Sequence, residues 1–414
     1  LSAPTSTSSF VFQHRSFRQY WIARVASVIA YQMQGVAVGW QIYALTGSAL
    51  DLGLVGLAQF LPSVALVLVV GHVADRYDRR WILRWCQRTE ATAATTLAAL
   101  SVTGTISELA IFILVALIGA ARAFEMPTQQ TLLPALVPTS LLSRAVAASA
   151  SAGQTAIVLG PALGGLLYVA GATTVYGVCA AMFLTASVFV GRIRIERVPA
   201  RREPPTIASL FAGIAYVRRH RALLGAISLD LFAVLLGGAA ALFPIYARDI
   251  LLVGPWGLGL LRSAPAVGAL AMAFWLAQRP LQRRAGRTML LAVAFFGIAT
   301  IVFGLSRSFA LSLGVLVVLG AADMFSVVVR QSLVQLGTPD EMRGRVSAVN
   351  SMFIGASNQL GEFESGVTAA WFGTVPAVVL GGMGTLVIVA LWWRLFPELA
   401  AIDGLDAIGT ARSR

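Results

Sequence analysis

Six acidic residues lie inside stretches otherwise built of Ala, Leu, Val, Gly and Phe: Glu90, Glu125, Asp230, Asp323, Glu362 and Glu364. Four arginines, Arg24, Arg122, Arg262 and Arg330, do the same. An ionised, unpaired side chain in an apolar medium is costly, so such residues either pair or do chemistry. Burial also moves a carboxyl group toward protonation near neutral pH, which is what a proton carrier requires. Alternatives to carboxylate chemistry are few. All 31 basic residues are arginine, which excludes a P-loop lysine and a lysine Schiff base. His14, His72 and His220 fall at span edges or in loops, against a histidine metal site or an intramembrane relay. Cys86 and Cys179 sit in apolar stretches and imply no disulfide framework. No metal and no cofactor are expected, and proton handling falls on the acids.

The elements that position these residues follow from composition. Over 414 residues, 57% are hydrophobic and 12% charged, and the mean hydropathy is +0.79. That much apolar surface implies an all-α integral membrane protein. Windows of about 20 apolar residues give twelve candidate spans. They cover 20–45, 50–70, 82–104, 108–128, 145–168 and 172–191, then 222–247, 255–277, 288–306, 309–331, 346–370 and 375–396. No secretory leader is expected before the first span. The arginines sort sharply: 25 fall on the side of the N-terminus, only Arg248 and Arg307 on the other, and four within spans. This is the positive-inside pattern, so both termini are expected in the cytoplasm. It also accounts for the net charge of +13 without a nucleic-acid partner.

The polar stretch 192–221 carries eight arginines and Pro204-Pro205. Ile207, Leu210, Phe211, Ile214 and Val217 then recur at helical spacing behind Thr206, a candidate N-cap. The expected organisation is a cytoplasmic segment 1–19, a six-span half 20–191, a linker 192–221 with a membrane-surface helix, a second half 222–396 and a tail 397–414. An internal repeat supports two halves. At an offset of 201 residues, Gly119-Ala120-Ala121, Phe124, Gln130, Leu132, Pro138, Arg144, Ala147, Gly160 and Gly165 meet identical residues at 320–322, 325, 331, 333, 339, 345, 348, 361 and 366.

Three motifs add detail. Residues 71–80 read GHVADRYDRR, in which Gly71 permits close helix approach and Asp75 can accept from a helix N-terminus or an arginine. Arg76, Arg79 and Arg80 form a cationic group beside it. Gly160-Pro161-Ala162-Leu163-Gly164-Gly165 would kink and tightly pack the fifth span. The third motif runs TPDEMRGRVSAVN and then SNQLGEFESG within residues 338–366.

The 71–80 loop resembles the signature loop of the major facilitator superfamily, with Asp78 where the usual pattern has glycine. The loop at Arg283-Arg284-Ala285-Gly286-Arg287 keeps the charge but lacks the acid. The GPxxGG element resembles that of drug/proton antiporters, and residues 338–366 resemble the enterobactin-exporter-like branch. The likeness runs from Phe17-Arg18-Gln19-Tyr20-Trp21 to the stretch ending Phe396-Pro397-Glu398-Leu399. It implies 12 transmembrane helices in two pseudo-symmetric six-helix halves, with spans 1, 4, 7 and 10 lining a cavity. Tyr31, Gln32, Gln34 and Phe232 are then the favoured wall residues, ahead of Trp40, Tyr43, Phe60 and Phe243. Arg262 is a candidate for meeting an anionic substrate.

Arg122 resembles a span-4 arginine implicated in proton transfer, although Glu125-Met126 replaces the usual Gln-Gly; Arg122 and Glu125 can pair directly. Asp230 lies about 12 Å along span 7, and Asp323 about 21 Å along span 10, at about 1.5 Å per residue. Both are ranked first as proton carriers, ahead of Glu362, Glu364 and Glu125. Asp230→Asn is expected to abolish gradient-driven transport with folding intact. Asp323 and Arg330 share a face two turns apart, so their partners are expected on other helices. Arg24 is expected to snorkel to the cytoplasmic surface.

The function expected is a monomeric, proton-coupled exporter of a siderophore-like compound working by alternating access. The alternatives are a multidrug/proton antiporter and a membrane-embedded lipid-modifying enzyme. The last would need a clustered acid/base, nucleophile or metal set that the sequence does not display.

Overall fold

The structure is a computed structural model. It describes residues 10–66, 69–70, 73, 76–194, 207–279 and 284–403, with the side chains of 207–210 and 340 outside the description. Among the described residues every regular element is helical. The first six long helices are α1 Arg15–Thr46, α2 Ala49–Ala65, α3 Arg79–Val102, α4 Glu108–Leu132, α5 Leu142–Tyr168 and α6 Ala172–Gly191. A shorter helix, α7 Ile207–Arg219, leads into α8 Arg221–Gly237, α9 Gly254–Gln278, α10 Ala285–Leu305, α11 Phe309–Gly337, α12 Asp340–Phe372, α13 Thr374–Leu395 and α14 Pro397–Ala400.

Eight segments are long and apolar enough to cross a membrane by themselves. They are α4, α5, α6, the segment Arg221–Ile250, α9, α10, α11 and α13. The physical reason the others fall short is visible in their residues. α2 has only 17 residues. α1, α3 and α12 are diluted by polar residues: Gln32, Gln34 and Gln41 in α1; Arg79, Arg80, Arg84, Arg88 and Glu90 in α3; Arg343, Arg345, Asn350, Asn358, Gln359, Glu362 and Glu364 in α12.

The chain forms two compact units, Leu1–Val38 with Leu61–Pro204, and Gly39–Phe60 with Pro205–Arg414. The end of α1 and the start of α2 therefore pack with the second unit. In the first unit, Phe17, Tyr20 and Ala23 of α1 bury against Leu83 of α3, Leu132 at the end of α4, and Ala186 and Val190 of α6. In the second, Leu229 and Ala233 of α8 meet Met289 and Val293 of α10, Val329 and Leu333 of α11, and Trp392 of α13. Association between apolar helices in lipid rests on such packing and on small residues.

The internal repeat is a repeat of geometry. Pro138, before α5, has φ −57° and ψ 151°, and its equivalent Pro339, before α12, has φ −55° and ψ 149°. Proline forbids continuation of the preceding helix, and each acts as a stop and restart. Gly171 and Gly373 open α6 and α13 with φ +99° and +87°, a region that side chains with a Cβ avoid.

Two local expectations change. The seventh span is no single helix: α8 ends at Gly237, and the chain continues as a 3-10 turn over Ala239–Leu242 and a π turn over Tyr246–Ile250. Gly237-Gly238 and Pro244 weaken the α-helical ladder there. The helix expected on the membrane surface packs one of its sides on protein. A Cβ at Gly213 of α7 would lie 2.9 Å from the Arg345 carbonyl oxygen of α12. Val217 is buried with Leu223, Ile227, Val334 and Val346, whereas Phe211 is exposed. Thr206 lies outside the described residues.

Candidate functional site

The first unit gathers its charges between α1, α3 and α4. Arg122 donates to Glu125 Oε2 at 2.8 Å, one helical turn along α4, and lies 3.8 Å from Glu90 Oε1 of α3. Glu125 is fully buried. Its other oxygen accepts from Ser27 Oγ of α1 and from Gln129 Nε2, both at 2.8 Å. Gln129 Oε1 in turn accepts from Arg24 at 3.0 Å. The Arg122 guanidinium carbon stands 4.0 Å from the centre of the Tyr31 ring, a distance at which cation–π attraction is substantial. Arg24 does not snorkel: a neutral acceptor on α4 and the Tyr20 hydroxyl hold it inside the unit. Glu90 is also fully buried, and neither carboxyl oxygen makes a hydrogen bond.

The GPxxGG element packs α5 onto α1 within this unit. A Cβ at Gly160 would lie 2.5 Å from Gln32 Cβ, and one at Gly164 would lie 2.8 Å from Met33 Cα. Gly160, Pro161, Gly164 and Gly165 are all buried. Gln32 thus serves helix packing, while Gln34 is buried with neither amide atom hydrogen-bonded.

In the second unit, Asp230 of α8 and Arg330 of α11 form an ion pair. Both are buried, at 5% and 2% exposure. Asp230, Asp323 and Ser326 line one small cavity together with apolar residues of α8 and α10. Phe232 does not line it; it is 38% exposed and packs on Trp392 with ring centres 5.5 Å apart.

Glu362 of α12 lies against α2, where a Cβ at Gly56 would stand 2.7 Å from its Oε2. Arg262 of α9 sits over Gly39 of α1 and is close enough to act electrostatically on Glu362. Glu364 accepts from Thr368 Oγ1 at 2.7 Å. At the same end of α1, the Tyr43 hydroxyl donates to Asp249, and Arg248 donates to the Tyr43 carbonyl oxygen at 3.1 Å.

Of the arginine-rich loop, Gly71 and Asp75 lie outside the described residues, and so does Arg283 of the second loop. Arg76 is exposed, and Arg79 and Arg80 open α3. The N-cap of that helix is Asp78, which accepts from the Arg80 backbone N–H at 2.8 Å and pairs with its side chain at 2.6 Å. Those hydrogen bonds hold the Asp78 carboxyl below the usual carboxylate range. The acid standing where glycine was expected is therefore a cap. Ser27, Gln129 and Ser326 were not foreseen as site residues. Spacing offered a signal for two of them, since Gln129 is one turn from Glu125, and Ser326 shares a face with Asp323 and Arg330.

Apolar helices enclosing paired charges, with a repeated half, frame a multi-pass membrane protein, and its family and relatives are transporters of the major facilitator type rather than enzymes. Over residues 6–412 the chain matches the family described as transmembrane secretion effector, and it belongs to that family. The enterobactin exporter EntS of Citrobacter koseri is 26% identical over 397 residues, 94% of each chain. The EntS protein of Shigella boydii serotype 4 is 27% identical over 396 residues, again 94% of each.

Among solved structures, a bacterial homologue of the human lysosomal transporter Spinster, in an inward-facing and occupied conformation, superposes with a TM-score of 0.76 at 12% identity. That match covers 95% of this chain and 99% of the other. The nucleoside transporter NupG, as its D323A mutant, gives 0.74 at 13% identity, covering 92% and 100%. At such identity the likeness is one of fold.

Proposed function

We propose that the chain exports a siderophore-like compound across the bacterial inner membrane, with protons entering as substrate leaves. Twelve spans in two six-helix halves, 20–191 and 222–396, alternate access to a shared path. The linker 192–221 and both termini, 1–19 and 397–414, are cytoplasmic, and the working unit is a monomer. The loop with Gly71, Asp75, Arg76, Arg79 and Arg80 gates the cytoplasmic side. The GPxxGG helix supplies the close packing that export by antiport needs.

One observation carries the proton reading: each unit buries acids with arginines on helices that are otherwise apolar. An ionisable residue inside a span is a functional-site candidate, and a change in its charge can bias the protein's state. Protonation of Asp230, Asp323, Glu125, Glu362 or Glu364 would remove a buried charge and bias the alternation, with Arg122 tuning the first unit. For the substrate, the 26–27% identity to enterobactin exporters over 94% of both chains supports a siderophore-like molecule. An anionic aromatic compound would suit Arg122 or Arg262 with a stacking ring.

The test is efflux of a catecholate siderophore from proteoliposomes under an imposed pH gradient, with and without an uncoupler. Efflux that follows the gradient and stops with the uncoupler is expected. Lipophilic dye efflux in the same vesicles without siderophore efflux would move the protein to the multidrug reading. Siderophore efflux indifferent to the gradient would refute proton coupling.

A further inference from the structure

The repeat sets position 122 opposite 323, 125 opposite 326, and 129 opposite 330. In the first unit the leading two positions satisfy each other, as Arg122 and Glu125 at 2.8 Å. In the second unit they are Asp323 and Ser326, which cannot form an ion pair. Ser326 is 2% exposed, and its Oγ makes no hydrogen bond within the protein. That is unusual for a hydroxyl in mid-helix, which commonly donates to the carbonyl one turn back. Thr300 and Thr385 do so here, to Phe296 and Gly381. The Ser326 hydroxyl is therefore left for the cavity it lines.

That cavity has a volume of about 10 Å³, room for about one water molecule. Its polar wall is Asp230 from α8 with Asp323 and Ser326 from α11. The side that α10 contributes, Val293 and Phe296, is apolar. Three residues with side-chain oxygens line this one water-sized space, which matches the two to four partners a bound water needs. Arg330 is the cation beside the site, and it is already engaged with Asp230.

We propose that this cavity binds a single water molecule through which a proton passes between Asp323 and Asp230. The inference rests on the proton-coupled reading above and names the path within the second unit. Protonated Asp323 donates its O–H to the water oxygen, and the water donates one hydrogen to an Asp230 carboxylate oxygen and the other to Ser326 Oγ. Transfer breaks the Asp323 O–H bond and one water O–H bond. It forms a new water O–H and an Asp230 O–H. The water is regenerated, Asp323 becomes the carboxylate, and Asp230 becomes the neutral acid. Neutral Asp230 no longer balances Arg330, so the proton's arrival loosens the pair that ties α8 to α11.

The test uses the full chain with Ser326→Ala and Ser326→Thr, the second keeping a hydroxyl. In proteoliposomes, Ser326→Ala should slow gradient-driven efflux of a catecholate siderophore about tenfold, the scale of one lost hydrogen bond. Siderophore exchange at equal pH on both sides should fall less than the driven rate, and Ser326→Thr should restore the driven rate. Infrared spectra of the purified protein should show a protonated-carboxyl band that Asp323→Asn removes and Ser326→Ala shifts.

Driven efflux unaffected in Ser326→Ala, or a carboxyl band blind to that change, would overturn the water path while leaving proton coupling in place. Equal loss of driven efflux and exchange would also overturn it, as a structural effect. Wild-type efflux that ignores the gradient would instead fail the proton reading itself.

Discussion

Removing the Asp230 charge tests the second unit most directly, and the geometry sets the size of the effect. Arg330 is 2% exposed, its Nε has no acceptor, and its guanidinium pairs with Asp230. An arginine cannot shed its proton, so Asp230→Asn strands a cation in an apolar interior. Breaking a buried pair from one side costs about 3–5 kcal/mol. Against a typical total of about 5–15 kcal/mol, that is a large share of the folded state's margin. The geometry thus predicts reduced stability for this variant, where the sequence alone suggested intact folding.

Arg330→Gln should cost less, about 1–3 kcal/mol, because the aspartate left behind can take up a proton. Asp230→Asn/Arg330→Gln should return close to wild type, since a buried pair replaced whole is often neutral. The assay is SDS titration of the purified protein in mixed micelles, followed by tryptophan fluorescence for the wild type and three variants. Two results would refute the reasoning: Asp230→Asn as stable as wild type, or a double variant less stable than either single. Transport is then best read in the double variant, whose loss of coupling does not reflect misfolding.

Two further outcomes follow from the first unit. Gly164→Leu should separate α5 from α1, because its Cβ would meet Met33 backbone atoms at 2.8 and 2.9 Å. A loss of about 1–3 kcal/mol should show in the same titration, while Gly177→Ala, with nothing within 4 Å, should be neutral. Asp78→Ala should cost about 1 kcal/mol as a lost N-cap, the 44%-exposed ion pair with Arg80 adding little. Because the folded Asp78 carboxyl is held below its usual range, its contribution is present above about pH 4 and fades as pH falls through the lowered value. Wild type and Asp78→Ala should therefore converge in acid-unfolding curves.

The helical architecture was legible because crossing a bilayer demands long apolar runs, and those runs survive any tertiary detail. Arg122 and Glu125 were legible as a pair for a similar reason: helix geometry alone brings residues three apart together. Partners on different helices were not. Arg24 reads as a surface cation until Gln129, 105 residues away, is seen to accept from it. Nothing in the order of residues links Asp230 to Arg330, and only the packing of α8 on α11 does. Phe232 looked like a cavity wall because the resemblance implies that its helix lines a cavity, yet its ring packs at a tilt against Trp392 of α13. Ser326 was passed over for a different reason, although its spacing from Asp323 and Arg330 was a signal. A serine in a helix is ordinarily silent, and its significance lies in the hydrogen bond it does not make.

The repeat shows one packing solution put to two uses. Gly160 of α5 meets α1 at Gln32, and the equivalent Gly361 of α12 meets α8, where its Cβ would lie 2.9 Å from the Val234 carbonyl oxygen. Residues 32 and 234 occupy neighbouring positions under the 201-residue offset, so the same contact has been kept in both units. The residue after that glycine differs. In α5 it is Pro161, buried and without an N–H to exchange with water. In α12 it is Glu362, whose carboxylate lies at Gly56 of α2, beside the backbone contact of Gly53 with Gly366. An apolar seam exposes a hydrophobic surface when it parts, whereas this seam would expose a carboxylate, which water solvates well. The α2–α12 contact is thus suited to opening and closing in a way that the α1–α5 contact is not. Under alternating access, movement is expected at the glutamate and rigidity at the proline.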